Sequence, residues 1–152
     1  MLSYRICNSA YSRDLSGTSA KLYGGRWNPV GMALLYSSSH ISLSCLELVV
    51  NIEMTIKIPD LALLTLEIPD GLKIKEIRIK DLPHDWRTYP APFALQNIGR
   101  NWLRKRSSPI LKVPSAVIPM EFNYLINPEH PESDAVAIKQ VSKFELDGRL
   151  IP

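Results

Sequence analysis

The chain has 152 residues, of which 45% are hydrophobic and 22% charged, and a formal net charge of +3. This length suits one hydrophobic core and is short for two, so we predict a single domain over residues 1–152. The mild positive charge does not by itself indicate a nucleic-acid partner, and two cysteines are too few for a disulfide framework.

The first residues and the hydropathy argue against a secreted or membrane protein, and the histidines argue against a zinc protein. No signal-peptide pattern follows the first residues and no apolar run is long enough to span a bilayer, so we expect a cytoplasmic protein without membrane contact. His40, His84 and His130 lack the spacings that build a zinc site. We therefore expect no metal.

The first distinctive segment is a turn over residues 24–31, which contains three glycines and an Asn-Pro pair. Such a turn can hold Arg26 in a fixed pose. A guanidinium is permanently charged and has a planar set of donors, which suits phosphate, pyrophosphate or carboxylate. The alternative is that Arg26 pairs with a nearby acid while Trp27 fills the core, and the residues alone favour neither interpretation.

An apolar run from Met32 to Tyr36 predicts a buried strand that ends at Tyr36, where the hydroxyl can reach a ligand. One of the three serines that follow is suited to cap a helix from about His40 to Met54. Arg26, Tyr36 and Glu47 thus lie on three consecutive elements, at spacings of ten and eleven residues.

Glu47 lies among the apolar stripes of this predicted helix. Burying a carboxylate alone is costly, so Glu47 must be paired, hydrogen-bonded or functional. A structural partnership with Arg26 or Arg5 is the simpler account when Glu47 is considered by itself.

The middle of the chain predicts strands, a loop and a helix. Residues 61–68 form an apolar run typical of a buried strand. Residues 73–80 alternate charged and apolar positions as a half-exposed strand does, with a short helical piece as the alternative. The proline-rich residues 83–92 predict a loop over the core or the site. A helix beginning near Pro92 then ends in the basic residues 100–106, which complement its dipole; nucleic-acid contact is the alternative for this cluster.

The last third predicts two short strands joined near Pro119, a polar turn through His130, and a final strand or pair of strands within residues 135–146. Together these elements predict an α+β domain, in which short strands form a split or two-sheet β core with a few flanking helices.

Several widely separated segments resemble the RES-domain family, toxins that are usually paired with an Xre-type antitoxin. The matching segments are Tyr4-Arg5, Gly25-Arg26-Trp27-Asn28 with Gly31, Tyr36, Glu47, Pro114-Ser115, and Asn123 through Asn127-Pro128 with His130-Pro131. A set of motifs in the family's order is more specific than one glycine-rich loop.

The resemblance implies a fold similar to ADP-ribosyltransferases, with NAD as the substrate in the cleft between the sheets. Members of the family degrade NAD, with water or phosphate as acceptor, or transfer ADP-ribose to a protein. By position, Arg26, Tyr36, Glu47 and Ser115 match the family's active-site set, and Arg5 matches a further basic residue near the cofactor.

The chemistry of NAD cleavage gives these residues roles. Breaking the nicotinamide–ribose bond leaves positive charge on the sugar, which a preorganised carboxylate stabilises, so Glu47 is the candidate for catalysis. We expect Arg26, with Arg5, to bind the pyrophosphate and Tyr36 to contact the nicotinamide ring. Ser115 would contact the ribose or the carboxamide.

Three functions follow as hypotheses. The first is a toxin of a toxin-antitoxin system that depletes NAD by hydrolysis or phosphorolysis. The second is a protein ADP-ribosyltransferase that uses the same site on a protein acceptor. The third is a non-enzymatic module that binds nucleic acid or protein through the basic helix. The resemblance also implies an Xre-type antitoxin as partner. From the mild net charge we expect no direct nucleic-acid contact.

Overall fold

In the computed structural model, which describes residues 1–53 and 57–151, seven strands and three helices make up the domain. The strands are β1 (Leu2–Asn8), β2 (Leu35–Ser38), β3 (Leu61–Glu67), β4 (Ile74–Glu76), β5 (Ile110–Pro114), β6 (Phe122–Ile126) and β7 (Ala137–Phe144). The helices are α1 (Thr18–Tyr23), α2 (Ile41–Val49) and α3 (Phe93–Lys105). The predicted α+β class is confirmed.

The strands form one mixed sheet in the order β4-β5-β6-β2-β1-β3-β7. Among the described strands, only β4 and β5 pair in parallel, and α3 lies in the crossover between them. The other pairs are antiparallel.

A seam divides this sheet between β1 and β2. These two strands pair only at Tyr4 and Ser38, whereas β1 pairs with β3 along its whole length. The core lies on both faces of the sheet: one apolar cluster gathers around Trp27, Trp86 and Trp102, and the other joins the alternating leucines of β3 to Leu35 and Ile126 across the seam. The split expected from the sequence therefore takes the form of a seam within one sheet.

The serine cluster folds differently from the sequence prediction. The second strand runs through Ser37 and Ser38 instead of ending at Tyr36. The reason is that both hydroxyls bond to the neighbouring strand β6, Ser37 to the carbonyl of Tyr124 at 2.9 Å and Ser38 to the side chain of Asn123 at 2.7 Å. No serine caps the next helix.

Helix α2 begins at Ile41, with His40 at the N-cap position, where its side chain makes no capping hydrogen bond within the described chain. The helix ends at Val49, with Val50 as its C-cap. The predicted end at Met54 lies outside the described residues.

The remaining elements agree closely with the sequence. Residues 73–80 contain both alternatives, the short strand β4 and a 3₁₀ turn over Ile79–Asp81. The C-terminal prediction resolves to the single strand β7. In α3, Trp102 is 2% exposed, as expected of a core residue beside the basic end of the helix.

None of the helices in the described part of the chain is long and apolar enough to cross a membrane.

Candidate active site

A cavity of about 750 Å³ opens along the seam between β1 and β2. Its size lies within the range of roughly 300–1,000 Å³ that is usual for small-molecule sites. Strands β1 and β2 and helices α1 and α2 supply most of its wall. The polar and charged residues among those lining it include Arg5, Tyr36, Ser38, Ser44, Glu47 and Asn123.

Two side chains hold the seam open. Beyond Tyr4 and Ser38, the next antiparallel pair would join Ile6 to Tyr36. Instead, the Ile6 N–H donates to the Ser44 hydroxyl at 3.0 Å, and Arg5 Nη1 donates to the Tyr36 carbonyl at 2.9 Å. Because these backbone groups are satisfied without further strand pairing, the sheet can part here at little cost.

Glu47 projects from α2 into the wall of this cavity and is half-buried. Its Oε1 atom accepts two hydrogen bonds, from the Ser115 hydroxyl at 2.8 Å and from Asn123 Nδ2 at 2.6 Å. Within residues 1–53 and 57–151, no hydrogen bond reaches Oε2. One carboxylate oxygen is thus held and the other is available.

Ser115 lies behind Glu47, where it is 0% exposed. Its hydroxyl donates to Glu47 and accepts from the backbone N–H groups of Val117 and Ile118, at 3.0 and 3.1 Å. A hydroxyl sealed and bonded in this way can orient the carboxylate. In this geometry it does not reach the cavity, in contrast to the ribose or carboxamide contact expected from the sequence.

The Tyr36 hydroxyl is fully engaged by the glycine-rich turn. It donates to Asn28 Oδ1 at 2.7 Å and accepts from the Trp27 N–H at 3.1 Å. Burial raises the pKa of Tyr36 above its ordinary value of 10.0, so the group stays a neutral donor at physiological pH. The ring, which lines the cavity, is the part of Tyr36 that a ligand can contact.

Arg26 is anchored to the proline-rich loop. Its Nη1 donates to the carbonyls of Trp86, at 2.8 Å, and Thr88, at 3.2 Å. Burial lowers the pKa of Arg26, and the nearby Glu47 carboxylate opposes that shift. Arg26 is absent from the cavity wall formed by the described residues, whereas Arg5 is part of it.

Helix α3 supports the turn that carries Arg26. Gln96 Nε2 donates to the carbonyls of Gly25 and Asn28, at 3.0 and 3.3 Å. A Cβ atom at Gly99 would collide with the carbonyl of Trp27. The helix and the turn therefore touch backbone to backbone.

The structure brings Arg5, Tyr36, Glu47 and Ser115 to one place. It also shows that two asparagine side chains hold parts of this site, and neither was assigned a role from the sequence. Asn28 is 0% exposed and donates to the carbonyls of Ala20 and Met32, while Asn123 bonds to Glu47. Both amides lie in the matching segments, yet neither received a role. An Asn within an otherwise apolar strand is the feature that could have identified Asn123.

No group of three or more His, Cys, Asp or Glu residues in the described part of the chain is placed to hold a metal ion.

Comparison with known proteins gives matches over most of the chain. Residues 2–147 match the family model described as the RES domain. The chain is 38% identical to the "Prs ADP-ribosylating toxin" of Sphingobium sp. (strain YBL2) over 140 residues, which is 91% of this chain and 87% of that protein. It is also 38% identical to "Toxin Res" of Yersinia enterocolitica over 152 residues, 99% of each chain.

A solved structure with the same fold is the toxin-antitoxin complex MbcT-MbcA of M. tuberculosis. The TM-score is 0.79 and the sequence identity 16%, with 94% of this chain and 83% of that chain covered. At this low sequence identity, the comparison supports a shared fold only.

Proposed function

Because the chain belongs to the RES-domain toxin family, we propose that it is the toxin of a toxin-antitoxin system and that it cleaves the nicotinamide–ribose bond of NAD. The observation that carries this proposal is the half-held carboxylate of Glu47. Two donors fix Oε1, and Oε2 is available in a cavity that Arg5 and the ring of Tyr36 also line.

The bond breaks with both of its electrons going to the nicotinamide nitrogen, so nicotinamide leaves as a neutral base. The ribose carbon is left with oxocarbenium character, and the negative charge of Glu47 stabilises it. Water or phosphate then forms the new bond to that carbon. When water is the acceptor, its proton is released to solvent or to Glu47.

The other charged and aromatic groups bind and orient the substrate in this proposal. Arg5 in the cavity wall attracts the pyrophosphate, and Arg26 adds positive charge from beside the wall. The ring of Tyr36 stacks against nicotinamide. Ser115 acts through Glu47, since its only donated hydrogen bond goes to that carboxylate.

The first test follows nicotinamide release from NAD by the purified protein, with and without phosphate, beside the variant Glu47→Gln. Gln keeps an acceptor oxygen for Ser115 and Asn123 but has no charge, so we expect the rate to fall by at least about 10²-fold. Glu145→Gln is the matched control, because Glu145 is 79% exposed and its side chain bonds only to Lys143. A folded Glu47→Gln protein with the parental rate would refute the assignment.

Transfer of ADP-ribose to a protein is the second candidate, supported by the name of the Sphingobium relative. Labelled NAD separates the two in a cell extract. Label in free ADP-ribose or its 1-phosphate indicates degradation, and label retained on a protein indicates transfer.

We further propose an antitoxin as the partner, since the structural neighbour was solved as a toxin-antitoxin complex, and the family resemblance favours an Xre-type protein. Co-expression with its Xre-type antitoxin should then relieve the growth defect caused by the toxin. At the basic end of α3, Trp102 is buried, so its ring is not available to stack on a base.

A further inference from the structure

We propose that Asn123 is a positioning residue that aims the Glu47 carboxylate into the cavity. This inference rests on the proposed function, in which Glu47 stabilises the ribose cation. Asn123 Nδ2 lies 2.6 Å from Glu47 Oε1, the shorter of the two hydrogen bonds that the carboxylate accepts.

A second contact agrees with this direction of the Asn123 amide. Ser38 pairs with Asn123 across β2 and β6, and its hydroxyl donates to Asn123 Oδ1 at 2.7 Å. The Glu47 carboxylate can only accept, so it requires the NH₂ group, and the amide oxygen then faces Ser38. The bond to Glu47 therefore does not depend on Ser38 alone.

The two donors to Oε1 come from neighbouring strands of the sheet. Ser115 follows the end of β5, whereas Asn123 lies within β6 and Glu47 itself on α2. A carboxylate held by one donor can still turn about its terminal torsion. Two donors on one oxygen fix that torsion and leave Oε2 directed at the cavity, which Asn123 and Glu47 both line.

Positioning of this kind affects the chemical step more than substrate binding. A reacting group displaced by about 1 Å can slow catalysis on the order of 10²-fold. The loss should appear in kcat with little change in KM, because the Glu47 charge is needed most in the transition state.

The test compares a variant that removes the donor to Glu47 with one that removes only the contact to Ser38. Asn123→Leu keeps roughly the size of the side chain and its neutrality but removes the donor to Glu47 and the acceptor for the Ser38 hydroxyl. Ser38→Ala removes the contact with Ser38 and keeps the amide donor. We expect Asn123→Leu to lower kcat by about 10²-fold with KM nearly unchanged, and Ser38→Ala to have a much smaller effect.

A readout independent of turnover is the ¹³C resonance of the Glu47 carboxylate, assigned by its loss in Glu47→Gln. Asn123→Leu should shift this resonance and Ser38→Ala should leave it nearly in place. An unmoved resonance, or equal kcat losses in the two variants, would overturn the inference. If the parent protein releases no nicotinamide, the proposed function fails by itself, and the resonance still decides whether Asn123 holds Glu47.

Discussion

The hydroxyl and the ring of Tyr36 have different roles. The hydroxyl ties the glycine-rich turn to β2 through Asn28 and the Trp27 N–H, and the ring lines the cavity. A Cβ atom at Gly25 would lie 2.6 Å from the Tyr36 hydroxyl oxygen, so this close approach requires glycine. The same side chain therefore shapes both the turn and the cavity.

The burial of Tyr36 predicts an alkaline limit to stability. Its pKa is raised in the folded protein, so the contribution of this group is complete below the ordinary value of 10.0 and is lost as the pH rises above it. The loss amounts to at most about 1.4 kcal/mol per pH unit. Urea unfolding between pH 8 and 11 should show this decline in the parent and a weaker decline in Tyr36→Phe.

At neutral pH the same variant should be less stable, because the Trp27 N–H and Asn28 Oδ1 lose their buried partner. The expected cost is about 1–3 kcal/mol in the free energy of unfolding. Tyr89→Phe is the control, since Tyr89 is 86% exposed. Identical pH dependence of all three proteins would contradict the assignment to Tyr36.

At the scale of elements, α3 acts as a support for the turn that carries Arg26. Its contacts with the turn come from Gln96 and from the bare backbone at Gly99. The proline-rich loop supports the same arginine from another direction, through the carbonyls of Trp86 and Thr88. The pose of Arg26 therefore depends on elements far from it in sequence.

Gly99→Ala tests this support. Alanine favours a helix over glycine by about 1 kcal/mol, yet here its methyl group would collide with the Trp27 carbonyl. We expect the collision to dominate, with a net loss of about 1–3 kcal/mol in the free energy of unfolding and a fall in nicotinamide release. Gly71→Ala is the control, because nothing lies within 4 Å of a Cβ atom there. A Gly99→Ala protein more stable than the parent would exclude the close contact.

Elements whose signals are local could be predicted from the sequence, and those that depend on distant partners could not. The apolar run of β3 and the amphipathic pattern of α3 place both elements to within a residue or two. The extent of β2 was missed because Ser37 and Ser38 are strand residues only through partners 87 and 85 residues away. In the same way, the sequence shows which residue types form the site but not that Ser115 is buried. That burial depends on the turn through Val117 and Ile118, which folds over the serine.

At the scale of the whole molecule, the cavity lies where the sheet divides. Residues from both sides of the seam contribute to the wall: Arg5 from one side, Tyr36 and Asn123 from the other. The apolar cluster that contains Leu35 and Leu64 also joins the two halves. A ligand in this cavity would contact both halves at once.

Because β1 and β2 share a single backbone pair, backbone pairing resists bending less at the seam than elsewhere in the sheet. Neighbouring amides of β1 point alternately to opposite sides, Ile6 toward the seam and Arg5 toward β3. We expect the Ile6 amide to exchange with deuterium faster than that of Arg5, and ADP-ribose to slow the exchange at Ile6 selectively. Equal rates, or equal slowing, would mean that the sheet opens as one body. A hinge at this place can widen the cleft only by disturbing the apolar cluster that Leu35 shares with Leu64 across the seam, so the packing on that face of the sheet works against opening.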